Sequence, residues 1–342
     1  MSIREGRGII SGTKEEKVTS RMEVFYNPVM KHNRDVSVMV LKTIGGKMLK
    51  ICLPLEASGI RGIRFFKELP KGMIEKIYFN DHNEKAVKAI KANLKLNKIK
   101  TRYEISCQDA NLFMRTGQGF DYIDIDPFGT PNPFLDSAIQ AISRNGIIAV
   151  TATDTAALCG TSEKACLRKY WAKPMHDSCM HETGLRILIR KVQLIGAQYS
   201  KALIPMYSYS KDHYMRIFFK VVKGKEETER ILSQHDYFKG FGPMWIGRLW
   251  DKELAKELAK QDTDKELSKM LIAIEAESRI NTIGFYDLHE ISGRLKHEVP
   301  KTEDLMKSIR KAGHKATITH FLPYGIRSTI TEKELARIIS NL

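Results

Sequence analysis

The sequence has no C-x-x-C pair. Its five cysteines, Cys52, Cys107, Cys159, Cys166 and Cys179, stand apart. That argues against a disulfide framework and against a four-thiolate zinc site. No apolar run approaches the length of a bilayer span. The N-terminal M-S-I-R-E-G-R-G carries charge where a signal peptide carries an apolar core. The expectation from these absences is a reduced, cytoplasmic chain with no membrane partner. Internal repeats and long low-complexity tracts are missing as well. Acids are in short supply: 40 Asp and Glu face 56 Lys and Arg, a formal net charge of +16. Such an excess favours a polyanionic partner, because cations that pair with phosphates release condensed counterions. A heat-adapted surface is also charge-rich, but it enriches Lys and Glu together and leaves the imbalance unexplained.

The chain has 342 residues, of which 42% are hydrophobic, enough for one large core and one smaller one. Short apolar runs predict strands over 47–55, 75–80, 103–107, 120–125 and 146–153. Amphipathic runs predict helices over 60–69 and 84–96, and one from Pro133 to about residue 143. This alternation implies an α/β fold with a doubly wound parallel sheet. A helix over 182–195 and a strand over 215–222 follow. The polar stretch 223–229 reads as a hairpin turn or the approach to a linker. Helical patterns then fill 252–278, 288–295 and 302–312, and 314–330 reads as β. The expected domains are 1–230 and a smaller α+β domain over 231–342.

Ligands of open parallel sheets sit beyond the carboxyl ends of the strands. The loops expected there hold Glu56-Ala-Ser-Gly59-Ile-Arg61-Gly62, Asn80-Asp81, Gln108-Asp109-Ala110 and Asp126-Pro127-Phe128-Gly129. The first lacks the full G-x-G-x-x-G, and its glycines have a second reading as mere turn formers. Asp81 suits a carboxylate that accepts ribose hydroxyls, or equally a helix cap. Asp109-Ala110 suits an adenine contact or a helix start. Glu56 opens the first loop and favours an ammonium-bearing ligand, S-adenosyl-L-methionine, over the diphosphate of NAD.

The fourth loop resembles the [D/N/S]-P-P-[Y/F/W] signature of enzymes that methylate exocyclic amino groups, with Phe128 in place of the second proline. A base amine becomes nucleophilic as its nitrogen pyramidalises. Acceptors for its hydrogens, the Asp126 carboxylate and a carbonyl fixed by Pro127, favour that shape. Phe128 supplies a face for an extruded base.

The wider string D-I-D-P-F-G-T-P occurs with F-Y-N-P-V-M-K-H-N-R-D-V-S-V (25–38), S-G-I-R-G-I-R (58–64), T-A-T-D-T-A-A-L-C-G (151–160), H-E-T-G-L-R-I-L (181–188) and D-H-Y-M-R (212–216). Together these resemble the archaeal and eukaryotic tRNA (guanine-N2)-dimethyltransferase family that acts on guanine 26. The resemblance covers most of residues 4–250 and thins toward the C-terminus. It implies a Rossmann-like class I methyltransferase domain, S-adenosyl-L-methionine as donor, tRNA as partner and N2,N2-dimethylguanosine as product. It implies cofactor contacts at Arg34, Arg61, Asp81, Asp109 and Ala110, with Phe25 near the cofactor. Asp126, Pro127 and Phe128 are the implied catalytic set, Asp126 orienting the guanine N2. Many relatives carry paired cysteines before a G-P-x-W segment. Here 231–245 has none, so no metal is expected. A monomer is the expected state. The rival readings are an amino-methyltransferase of another base, in DNA or RNA, and an RNA-binding protein with a relic cofactor fold.

Three other features have two readings each. His176, Cys179 and His181 could ligate a metal, or His181 and Glu182 could start a helix and line the substrate pocket. Asp154 could close the base pocket or cap a turn. Arg310, Lys311, His314, Lys315 and Arg327, interleaved with His320, Phe321 and Tyr324, suit contact with RNA or form a solvated face.

Overall fold

The chain starts with an antiparallel hairpin, β1 (Ser2–Glu5) and β2 (Gly8–Ser11). The structure, a computed structural model, describes residues 2–11, 25–46, 48–117 and 119–342. A 3-10 turn over Pro28–Met30 has Asn27 as its N-cap and runs into α1 (Lys31–Ile44). The alternating elements follow: β3 (Leu49–Leu53), α2 (Ile60–Glu68), β4 (Ile74–Asn80), α3 (Glu84–Leu96), β5 (Tyr103–Ser106), α4 (Ala110–Thr116), β6 (Phe120–Ile125), α5 (Asn132–Ala141) and β7 (Ile142–Ala152). The expected first-strand start at Lys47 lies outside the described residues. The chain continues through α6 (Thr155–Leu158), α7 (Glu163–Tyr170), α8 (Met180–Ala197), β8 (Lys201–Lys211) and β9 (Tyr214–Lys223).

The seven-stranded sheet has the order β5-β4-β3-β6-β7-β9-β8. Its pairs β5–β4, β4–β3, β3–β6 and β6–β7 are parallel. Only Asp212-His213 separate β8 from β9, a connection that reaches only an antiparallel neighbour. The sheet is therefore mixed at that edge, whereas the sequence pattern implied a parallel sheet and marked no strand over 201–211. Central strands are apolar on both faces, as a sheet with helices on both sides requires: Ile51, Cys52, Ile123, Ile125 and Ile148 are fully buried. α3 buries Ala86, Val87, Ile90 and Leu94 on one stripe, each large side chain worth roughly 2 kcal/mol of transfer free energy. Strand order reverses between β3 and β6, so the loops after these two strands border the crevice.

Two compact units divide the chain. The first holds Met1–Asp154, Val192–Met206 and Arg216–Ser233; the second holds Thr155–Lys191, Tyr207–Met215 and Gln234–Leu342. The last crossing lies near the boundary expected at 230, but two earlier segments already belong to the second unit. The stretch read as a turn or linker is helical, α9 (Lys225–Leu232), because Thr228 and Ile231 give it a buried side.

The rest of the second unit comprises β10 (His235–Phe238), β11 (Phe241–Trp245), α10 (Lys252–Ala259), α11 (Lys265–Ser278), β12 (Tyr286–Asp287), α12 (Leu288–Leu295), α13 (Thr302–Lys311), β13 (Ala316–Ile318), β14 (Gly325–Ser328) and α14 (Glu332–Ser340). A C-terminal core gathers Leu288, Ile291, Leu305, Ile309, Ile326, Leu335 and Ile339. Beside it lies a buried ionic network. Arg327 donates to Glu182 Oε2 at 2.6 Å and to Glu277 Oε1 at 3.0 Å; Glu277 Oε2 lies 2.5 Å from His320 Nδ1. Burial pushes the Glu277 carboxyl up, but His320 and Arg327 outweigh it and hold it at about 2.

This network corrects two readings. Arg327, His320 and Phe321 do not form an RNA-facing surface: Arg327 and the His320 side chain are enclosed, and Phe321 is buried. Glu182 starts no pocket wall, since its carboxylate is spent on Arg327, Arg186 and the Gly284 N–H. Tyr324, Lys311 and Lys315 are exposed as expected.

Candidate active site

The site is assembled at the carboxyl ends of β3, β4, β5 and β6. A buried amide joins three of these ends. The Asn80 side chain donates to the Pro54 and Gln108 carbonyls, both at 3.0 Å, and accepts from the Gln108 N–H at 3.2 Å. The loop after β3 turns through Ala57 and Gly59 at positive φ, Gly59 serving as the N-cap residue of α2. Gly62 has a different duty: a Cβ there would lie 2.3 Å from the Phe79 ring, so glycine lets α2 approach the sheet.

Asp81 braces the same loop. Its Oδ2 accepts the Ala57 N–H at 3.0 Å and its Oδ1 the Asn83 N–H at 2.9 Å. The helix cap considered for Asp81 falls to Asn83, which accepts from the Lys85 N–H. Asp109 caps α4 through Oδ1 alone, accepting from Asn111 and Leu112, and is exposed; Ala110 is buried at the first helical position. Glu56 Oε1 accepts the Gly62 N–H at 3.0 Å. Burial raises the Glu56 carboxyl to about 8, against the pull of Arg61.

Arg34 lies on α1, clamped by Glu5 of the N-terminal hairpin. Its Nε donates to Glu5 Oε1 at 2.7 Å and its Nη2 to Glu5 Oε2 at 2.5 Å and to the Asn27 carbonyl at 2.9 Å. Arg64 Nη1 donates to the same carboxylate at 2.9 Å. Burial works against ionisation of Glu5, yet Arg34 and Arg64 hold it at about 2. The hairpin itself is anchored on α3, where Asn97 and Asn93 accept the Ile9 and Ser11 N–H groups.

Asp126 follows β6 directly. Its Oδ2 pairs with Arg61 Nη2 while the side chain keeps 18% exposure. Arg61 is fully enclosed. Its Nη1 donates to Asn33 Oδ1 at 3.0 Å and Ser37 Oγ at 2.9 Å, and lies 3.3 Å from Asp124 Oδ2. Asp124 meets Arg216 bidentately, at 2.8 and 2.6 Å, and accepts from the Tyr122 hydroxyl at 2.5 Å. Burial penalises its charge, but Arg216 and Arg61 keep its carboxyl below the ordinary value. Two carboxylates spaced i and i+2 thus have separate environments: Asp124 is closed off and neutralised, whereas Asp126 reaches solvent. Sequence reasoning singled out neither Arg216 nor Asn33 and Ser37 as site residues. The available signal was an arginine inside the apolar strand Y-M-R-I-F-F and an acid inside F-D-Y-I-D-I.

The Asp126-Pro127-Phe128-Gly129 loop is latched to the end of β7. The Gly129 N–H donates to Thr153 Oγ1 at 2.7 Å, and the Thr153 N–H to the Gly129 carbonyl at 2.9 Å. Phe128 is 57% exposed. The Phe25 ring meets it edge-on, with centroids 4.3 Å apart. His176 and Cys179, weighed as metal ligands, are bonded elsewhere: His176 Nδ1 to the Cys159 carbonyl, the Cys179 thiol to the Phe285 carbonyl.

The donor set fits a nucleoside carrying a cationic amino-acid tail. Asp81 and Asp109 line successive loops and would repel a diphosphate, Asp109 keeps Oδ2 outside its cap, and the buried Glu56 carboxyl, protonated below about 8 without a ligand, would ionise beside a ligand ammonium. Arg34 spends Nε and Nη2 on protein groups and has Nη1 for a ligand carboxylate.

The family model for N2,N2-dimethylguanosine tRNA methyltransferase matches residues 6–241 and 236–340. A protein of Aquifex aeolicus named tRNA (guanine(26)-N(2)/guanine(27)-N(2))-dimethyltransferase is 38% identical, covering 95% of this chain and 92% of its own. One of Methanocaldococcus jannaschii named tRNA (guanine(26)-N(2))-dimethyltransferase is 38% identical, covering 99% and 98%. The solved structure of Trm1 from Pyrococcus horikoshii with S-adenosyl-L-methionine superposes with a TM-score of 0.90 at 33% identity, over 99% of both chains.

Proposed function

The chain belongs to the N2,N2-dimethylguanosine tRNA methyltransferase family, and on that premise we propose how its own residues carry out methyl transfer to N2 of guanine 26 in tRNA. The enzyme is an S-adenosyl-L-methionine-dependent tRNA methyltransferase that forms N2,N2-dimethylguanosine. The observation that supports the site assignment is Asp126: a partly exposed carboxylate, fixed on one oxygen by Arg61, beside a rigid proline and an exposed aromatic ring.

When bound, S-adenosyl-L-methionine supplies an electrophilic methyl group. Asp81 would accept from the donor's ribose hydroxyls and Asp109 Oδ2 from its adenine amine, beside Ala110. Glu56 would face its ammonium, and Arg34 Nη1 would pair with its carboxylate. Arg61, expected as a cofactor contact, is bonded to Asn33, Ser37 and Asp126 and acts from behind, holding Asp126. Asp126 Oδ1 accepts a hydrogen bond from the guanine N2 and the carbonyl fixed by Pro127 accepts the second, so the lone pair leaves conjugation with the ring; as the N2–methyl bond forms and the methyl–sulfur bond breaks, one N2 proton leaves through Asp126 to solvent in each transfer. Phe128 gives the extruded base a stacking face. The second transfer needs only one N–H, so Asp126 alone orients the monomethylated amine. The second unit grips the tRNA, the enzyme works as a monomer, and the cytoplasm is its compartment.

The test is nucleoside analysis by mass spectrometry of unmodified tRNA treated with enzyme and donor, with the position mapped. Asp126→Ala is expected to abolish transfer, with donor affinity by calorimetry within about threefold of the parent. Full activity of that variant would sink the role. Product on adenine or cytosine of DNA would instead support the rival base.

A further inference from the structure

Outside the methyl-transfer site, the second unit carries a cluster of cations and aromatic rings that no step above uses. Trp171 ends α7 and is half exposed, at 50%. Its backbone is left-handed, φ 57 and ψ 39, at a helix C-cap where a bulky side chain is strained and glycine is favoured. Stability alone does not select tryptophan there. Lys191 lies beneath the ring, its Nζ 2.9 Å from the centroid, and the neighbouring Arg190 donates from Nη1 to the Trp171 carbonyl at 3.4 Å. Arg190 Nε is buried without an acceptor. Desolvation, then Arg190, lowers the Lys191 ammonium to about 8; desolvation lowers Arg190 as well. No carboxylate pairs with either cation among the described residues.

The hairpin of β10 and β11 completes the cluster. Tyr237 is 61% exposed, and its hydroxyl lies within electrostatic reach of Arg190. Lys173 is exposed, exchanges backbone hydrogen bonds with Gly242 at 2.7 and 2.8 Å, and stands 5.2 Å from the Phe241 ring centroid. We propose that this surface docks the RNA substrate: Trp171 and Tyr237 receive unstacked bases, Arg190 and Lys173 take the flanking phosphates, and Lys191 backs the tryptophan. Desolvated cations with no acid partner favour a polyanion, and exposed rings among them favour single-stranded or loop nucleotides over a duplex. A net charge of +16 adds long-range attraction. The inference rests on the tRNA reading above and gives it a location.

The test compares the parent with Trp171→Gly, Tyr237→Ala and Lys173→Glu, using unmodified tRNA, for tRNA affinity at several salt concentrations, donor affinity by calorimetry and melting temperature. Each ring variant is expected to weaken tRNA binding by about tenfold. Lys173→Glu should weaken it and reduce the log–log salt slope by about one or more. Donor affinity should stay at the parent value throughout. Trp171→Gly relieves the left-handed strain, so a merely structural ring would reveal itself as a lower melting temperature with unchanged tRNA affinity. That result, or unchanged affinity and slope in all three variants of a parent that methylates tRNA, overturns the docking surface and leaves the function standing; the patch would then suit a protein partner. A parent that neither binds nor methylates tRNA overturns both.

Discussion

Glu5 and Glu56 lie within one unit and respond to pH in opposite senses. Glu5 is held at about 2, below its ordinary 4.5. Its contribution to stability is present above 4.5 and fades as pH falls toward 2, an amount of order 3 kcal/mol. Glu56 is raised from 4.5 to about 8, so its contribution is present below 4.5 and is lost as pH rises through 8. Glu56→Gln should therefore raise the melting temperature at pH about 8 by a few degrees in the absence of donor and change little below pH about 4.5. A parent and variant with parallel melting profiles across that range would refute the assignment. Arg216→Met leaves Asp124 with Arg61 as its one remaining cation beside the Tyr122 hydroxyl, and is expected to cost about 3–5 kcal/mol in denaturant unfolding, part of it recovered by Asp124→Asn in the same chain. The place of Asp126 in the loop after β6 was legible in the sequence because its neighbours, a proline and a phenylalanine, have local meaning. Arg216 was not, because its meaning depends on an acid ninety-two residues away in sequence.

Among elements, the latch between Gly129 and Thr153 decides where the Asp126 loop sits. Thr153→Val removes the acceptor of the Gly129 N–H and keeps the side-chain shape. Turnover should fall about ten- to a hundredfold as the loop loosens, with donor affinity close to the parent value. Steady-state rates with saturating tRNA, read beside calorimetry, test this, and unchanged turnover would remove the latch from the mechanism. Elements were readable where one apolar stripe met a polar cap. α3 and α12 matched residue for residue, with Asn83 and Asp287 as caps. α1 escaped because its buried positions include Asn33, Arg34, Asp35 and Ser37, which erase the helical hydrophobic period. α14 escaped although Thr331 and Glu334 form a capping box that the sequence displays openly.

For the whole molecule, the charge imbalance predicts a steep ionic-strength dependence. Raising salt from about 50 to about 200 mM should weaken tRNA binding by roughly a hundredfold or more and leave donor binding nearly unchanged. Filter binding beside calorimetry measures both, and a flat tRNA curve would contradict a phosphate-driven grip. The interleaving of the two units was the least legible feature. Residues 155–191 and 207–215 carry no shift of composition to mark their departure from the first unit.

The Asp124–Arg216 pair also bears on the order in which the protein is made. Every loop of the candidate active site has left the ribosome once residue 154 is free. Asp124, however, is closed into the sheet without its bidentate partner until residue 216 emerges. Those roughly sixty residues take about 3–12 s to synthesise. During that interval the nascent sheet holds a charge that only Arg61 offsets. A fragment cut at residue 154 would carry Arg34, Arg61, Asp81, Asp109 and Asp126 and still lack a stable fold, so the shortest N-terminal piece able to catalyse methyl transfer has to extend past β9.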